Sequence, residues 1–307
     1  GLGDVYKRQH VVWFGGEPLL GIKQIESLYR KMILIPDKNY SFSIISNGFL
    51  ISPDIIKLFK EMKLQHIQIT LDGLKETHNK IKFTKNENDT FSRTIKNIDL
   101  LASSAPEIRI SIRVNMNKEN SSEFITLYSF ILQRYKSNPL IGIYPAFITS
   151  TSSKSSSSCS LLFNRQEKSE FIQQLYYDRG IVTNLCGYPD SSFTECSIRN
   201  KHTFTIDPEG YLYKCWEIIG DQKYAIAKLD SEGTIQSIDQ KILNRYLYAA
   251  DPLEDKTCSK CPYLPICFGG CPHKRIENIF KDKHYDTCTY LKGSLKEFIK
   301  IHLSQNS

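Results

Sequence analysis

Residues 11–20 read VVWFGGEPLL, a short apolar run broken by Gly15-Gly16-Glu17-Pro18. An apolar strand that stops at glycines and runs into an amphipathic segment is half of a β/α unit. The same unit repeats outward from it. HVVWFG (10–15) reads as a short buried strand, and LLGIKQIESLYRKM follows with Leu20, Ile25, Leu28 and Met32 at helical spacing. YSFSIISNG is the next strand. PDIIKLFKEMK then opens with Pro53 and Asp54 at a helix start and puts Ile55, Leu58, Phe59 and Met62 on one face. QHIQITLDG is a strand, with a helix around Thr90 to Leu101 behind it. EIRISIRVNM, SEFITLYSFILQRYK and LIGIYPAFI continue as strand, helix and strand. Five strands alternating with helices predict a parallel sheet with helices outside. In such sheets ligands are met at the carboxyl ends of the strands. Here those ends are Gly15-Gly16-Glu17, Ser46-Asn47-Gly48, Thr70-Leu71-Asp72-Gly73 and Arg113-Val114-Asn115.

The chain of 307 residues, with 40% apolar and 24% charged, can bury a real core. It has no apolar run long enough to span a membrane and no signal-peptide layout at its start, so the expected compartment is the cytosol. The net charge of +7 comes from lysines and arginines interleaved with acids, as in KHYDTCTYLKGSLKEFIK. That pattern describes a solvated surface, and no nucleic-acid motif accompanies it. Neither a membrane nor a nucleic acid is an expected partner.

TSTSSKSSSSCS (149–160) reads as a linker or mobile loop. Beyond about residue 184 cysteine, glycine and proline take over, and DPEG inside HTFTIDPEGYLYKC is a hairpin turn. The first nine residues, GLGDVYKRQ, carry neither caps nor alternation and read as a non-native scar. The expected organisation is therefore 1–9 scar, 10–150 barrel-like domain, 151–183 linker and bridging helix, and 184–307 cysteine-rich domain.

All nine cysteines lie from residue 159 onward, five of them between Cys258 and Cys288. Cys196 is followed by x13-Gly210-x4-Cys215, then Cys258-x2-Cys261-x5-Cys267-x3-Cys271, then Cys288. Clustering of this kind in a chain without a secretory leader points to metal rather than disulfides. Short loops such as CSKC and CFGGC can wrap thiolates around one site, and Gly269 and Gly270 permit positive φ. Zinc and iron–sulfur clusters both remain open on spacing alone. Cys186 could complete a set of eight, whereas Cys159 in the serine tract reads as a bystander. His202, His273 and His284 read as surface or packing residues.

The cysteine string, with FGGEP, ISNG and ITLDG at successive strand ends, resembles the radical S-adenosylmethionine (SAM) enzymes that carry a C-terminal SPASM domain. The resemblance covers residues 10 to about 292. It implies a partial (β/α)6 TIM-type barrel followed by a SPASM domain with short strands and helices. It also implies that Gly15, Gly16 and Glu17 hold the amino group of SAM. Ser46, Asn47, Thr70 and Asp72 are implied at the same cofactor, with Thr70 standing where similar enzymes have a serine. Two auxiliary [4Fe–4S] clusters are implied, one on Cys186, Cys196, Cys215 and Cys271 and one on Cys258, Cys261, Cys267 and Cys288. The implied partners are a precursor peptide or protein and a reductant such as flavodoxin or ferredoxin.

Similar enzymes also carry Cys-x3-Cys-x2-Cys after their first barrel strand, where it binds the catalytic cluster that cleaves SAM to a radical. No cysteine precedes Cys159 here. The expectation is an N-terminally truncated chain that lacks this cluster, its first strand and the activity. Most such enzymes crosslink ribosomally made peptides through thioether or carbon–carbon bonds, while others convert a sulfatase residue to formylglycine. The formylglycine makers have an aspartate base directly after the cysteine that follows Gly-x4, and here that position is Trp216. Lys82 stands where many relatives have arginine, keeping the charge and losing the planar fork. The alternatives are thus a peptide crosslinking enzyme, a sulfatase-type maturase, and a non-enzymatic iron–sulfur or zinc scaffold.

Overall fold

A computed structural model describes residues 8–84, 88–149, 159–182 and 196–305. Cys186 and nearly all of the serine tract lie outside these residues. The described residues divide between two compact units. The first is built from the chain up to Phe163 plus Asp178–Leu185, the second from Asn164–Tyr177 and the chain from Cys186 onward.

The first unit is a parallel five-stranded sheet with its strands in sequence order. They are β1 (Arg8–Trp13), β2 (Asn39–Ser46), β3 (His66–Leu71), β4 (Arg109–Met116) and β5 (Ile141–Phe147). Helices α1 (Ile22–Met32), α2 (Pro53–Glu61), α3 (Lys75–Ile81), α4 (Thr90–Ser104) and α5 (Phe124–Arg134) run between them. The order never reverses, as in the wall of a barrel rather than a doubly wound sheet. Alternation fixes the faces. Ile67, Ile69 and Leu71 of β3 and Ile110, Ile112, Val114 and Met116 of β4 are buried. Buried rows on α2 (Ile56, Leu58, Phe59), α4 (Ile95, Ile98, Leu101) and α5 (Phe124, Leu127, Ile131) complete that core. The opposite face is polar and half-buried, with Gln68, Thr70, Arg113 and Tyr144 across neighbouring strands.

Three expectations change. β1 is not buried: it pairs only with β2 among the described residues, and Val12 is exposed. It also begins at Arg8, so Arg8 and Gln9 pair with Asn39 and Tyr40, because ladder bonds need no side-chain pattern. On α1 the buried pair is Ile25 and Tyr29, whereas Leu28, and Leu20 in the turn before the helix, face solvent.

The second unit holds an antiparallel sheet of β6 (Thr205–Ile206), β7 (Tyr211–Tyr213), β8 (Ala227–Leu229) and β9 (Ile235–Ile238). The DPEG turn joins β6 to β7. Asp207 Oδ1 accepts from the amides of Glu209 and Tyr211, and Gly210 takes φ +83°. Its helices are α6 (Arg165–Arg179), α7 (Gln240–Asn244), α8 (Leu264–Cys267), α9 (Pro272–Lys281) and α10 (Leu295–Gln305). A small core includes Ile198, Tyr213, Tyr246 and Ile276, the last from α9, with Ile242 of α7 packed against it. Tyr176 and Tyr177 of α6 bond Ser304 and Glu297 of α10. Among the described residues no helix is long and apolar enough to cross a membrane.

Candidate functional site

At the carboxyl edge of the first sheet, Glu17 is hooked onto the end of β2. Its Oε1 accepts from the Ser46 hydroxyl at 2.8 Å and the Leu19 amide at 3.0 Å, and its Oε2 accepts from the Asn47 amide at 2.7 Å. Ser46 Oγ in turn takes the Gly48 amide, and Asn47 Oδ1 the Phe49 amide. Two strand ends are thereby tied through one carboxylate. Beside it, Gly15 and Gly16 are exposed, and a Cβ on either would meet nothing within 4 Å. Packing within the chain does not require these glycines. Their backbone is left bare to whatever approaches that edge.

Asp72, 3% exposed after β3, is held from several sides. Its Oδ1 accepts from Asn115 Nδ2 at 3.0 Å, its carbonyl accepts from Asn120 Nδ2 at 2.8 Å, and Lys82 Nζ lies 3.6 Å from Oδ2. Arg113 Nε extends the chain by donating to Asn115 Oδ1 at 3.0 Å. The Asp72 amide donates to Nδ1 of the buried His78 at 3.2 Å, which leaves Nε2 as the protonated nitrogen of the neutral ring. Burial pushes His78 down to about 4, against the opposing pull of the Asp72 carboxylate. Glu123 braces the turn by accepting from the Leu74 amide and the Thr77 hydroxyl. Thr70 sits half-buried on the polar face, opposite Arg113 in the strand register.

In the second unit, Cys258, Cys261, Cys267 and Cys288 line one small, partly open cavity together with Gly269, Thr287 and Lys292. Burial raises the Cys267 thiol, and the other three thiols of the set push it the same way. Two glycines make the loop possible. Gly269 and Gly270 both have positive φ, and a Cβ on Gly270 would fall 1.8 Å from the Thr287 carbonyl oxygen. The chain ahead of Cys288 therefore lies against the turn between Cys267 and Cys271. Burial also pushes Cys215 up to about 12, with Glu217, Cys271 and Cys196 adding to the shift. Cys271 is raised by burial and by Glu217. Cys186, the remaining member implied for this first set, lies outside the described residues. Among the described residues no three His, Cys, Asp or Glu side chains form a site for a single metal ion.

Sequence reasoning did not single out Asn120, His78 or Glu123 for these roles, nor Lys292 beside the cysteines. His78 reaches Asp72 from α3, only six residues on, whereas Asn120 and Glu123 act at Asp72 or in its turn from beyond β4, at distances along the chain that no local spacing encodes.

Residues 2–131 match the sequence pattern of the Radical SAM superfamily. Over 297 residues the chain is 25% identical to the cysteine-type anaerobic sulfatase-maturating enzyme of Clostridium novyi (strain NT), covering 86% of this chain and 73% of that one. The structure of native anSMEcpe with bound AdoMet superposes with a TM-score of 0.69 at 20% identity, over 99% of this chain and 84% of that one. The structure of Streptococcus suis SuiB bound to the precursor peptide SuiA superposes at 0.53 and 16% identity, over 92% and 64%. Residues 2–131 thus carry the sequence pattern of the Radical SAM superfamily, and the chain as a whole is similar to a cysteine-type anaerobic sulfatase-maturating enzyme.

Proposed function

We propose that this protein is a radical SAM maturase with two auxiliary [4Fe–4S] clusters, modifying a ribosomally made peptide by thioether or carbon–carbon crosslinking. The observation that carries the reading is the convergence of Cys258, Cys261, Cys267 and Cys288 on one cavity, in a chain that also carries a radical SAM domain. Four thiols around one hollow are the donor set of a cubane cluster. Cys186, Cys196, Cys215 and Cys271 would hold the other.

Bound SAM supplies the means of abstracting a hydrogen atom from the substrate. The chain's own residues do the holding. Glu17 and the bare backbone of Gly15 and Gly16 receive the ammonium group, with Ser46 and Asn47 fixing the Glu17 carboxylate. Thr70 meets the carboxylate of the cofactor, and Asp72, fixed by Asn115 and Asn120, sets the position of the turn beside it. A peptide partner is supported by the SuiB structure, which holds its precursor peptide. A flavodoxin or ferredoxin would supply electrons.

Sulfatase-type maturation is the second reading, favoured by the alignment with the Clostridium novyi enzyme. Against it, the position after Cys215 is Trp216, 61% exposed, with no carboxylate to serve as base. Two experiments decide. Sequencing the gene upstream of residue 1 is expected to reveal Cys-x3-Cys-x2-Cys in frame, and a closed frame without it would leave the scaffold reading. Mass spectrometry of peptides treated with the motif-bearing enzyme is expected to show loss of two hydrogens. Replacement of a cysteine sulfur by oxygen with the same loss would establish formylglycine formation instead.

A further inference from the structure

We propose that Arg275 and Lys292 are redox-tuning residues. Their cationic side chains donate to the sulfurs of Cys258 and Cys288, and hold a cluster on that set at a higher reduction potential than one on Cys196, Cys215 and Cys271. The inference rests on the two-cluster reading above.

Arg275 lies on α9 with its side chain 5% exposed. Its Nη1 donates to Cys258 Sγ at 3.3 Å, while Nε and Nη2 are fixed on the carbonyls of Ala250 and Asp251 at 3.2 and 3.5 Å. Lys292 Nζ donates to Cys288 Sγ at 3.6 Å, and the Gly269 amide to Cys267 Sγ at 3.4 Å. Three of the four sulfurs thus receive a donor, two of them from a full positive charge. Asp255 opposes part of this effect. Its carboxylate lies 3.5 Å from Arg275 Nη2 and also accepts the Cys258 amide. It is, however, 40% exposed, and water screens it more than it screens the buried guanidinium.

The described thiols of the other set differ in their donors. Lys214, buried next to Cys215, spends its ammonium on the carbonyls of Asn200 and Thr203 at 2.6 Å each. Among the described residues no side-chain cation donates to a sulfur of this set. Reduction adds negative charge to a cluster and its thiolates, so charged donors to the sulfurs favour the reduced form.

The test is a redox titration of the anaerobically reconstituted chain, followed by electron paramagnetic resonance, with iron and sulfide counted in every sample. Lys292→Met is expected to lower one midpoint while the other stays in place. The change should be about tenfold in the reduced-to-oxidised ratio at fixed potential, or ~59 mV for a one-electron couple. Arg275→Met should move the same midpoint in the same direction, and Arg275→Lys should recover most of it. If Arg275→Met fails to load iron, Lys292→Met decides alone. Full iron content with both midpoints unmoved overturns the proposal. Zinc in place of iron in the unmodified chain overturns the two-cluster reading and this inference together, and is told apart by the metal count.

Discussion

Glu17 shows how one side chain can be both architecture and recognition. It ties the Gly15-Gly16 segment to Ser46 and Asn47, so removing it costs the edge of the sheet as well as any ligand there. Glu17→Ala is expected to lower the stability of the first unit by about 1–2 kcal/mol in urea denaturation. It should also abolish SAM binding in calorimetry. Loss of stability with binding intact would remove Glu17 from the cofactor site. His78 offers a pH signature. Its folded pKa, about 4, is below the ordinary 6.5, so the unfolded chain takes up the proton first. Stability is full above about 6.5 and falls as the pH drops towards 4, by at most about 3 kcal/mol. His78→Asn should flatten that part of the stability profile, and an unchanged slope would locate the proton uptake elsewhere.

At the scale of elements, the strands were legible because their alternation is local and the two faces of the sheet differ so sharply. Helix α3 was not, since KETHNKI has no apolar stripe and its first turn is braced by Glu123, nearly fifty residues away. The exposure of β1 was equally hidden, because an apolar run says nothing about how many neighbours it pairs with. The FGGC turn is the opposite case. Gly270 is required both by its φ and by the Thr287 carbonyl against which it lies. Gly270→Ala should push the Cys288 segment away from Cys267. The iron content of the reconstituted chain should then fall from about eight to about four atoms, with the other cluster kept. Retention of all eight would mean that Cys288 is not a ligand.

For the whole molecule, the spacing of the cysteines was readable in sequence while their environment was not. The donors to Cys258 and Cys288 come from α9 and from the stretch before α10, and no motif names them. Metal held by thiols contributes its binding energy to the fold around it. Chelating the iron is therefore expected to speed amide hydrogen exchange between Cys258 and Cys288 while β2 to β5 keep their protection. Equal loss of protection in both units would show that they unfold as one. The path of the chain adds a practical consequence. Because α6 leaves the first unit at Asn164 and the chain returns to it at Asp178, the backbone passes between the units three times. The cysteine-rich half is consequently not a cassette that a single recombination event can move. A gene cut after residue 185 would deliver α10 without the tyrosines of α6 that bond it, so grafting this half onto another barrel requires two junctions to be inherited together.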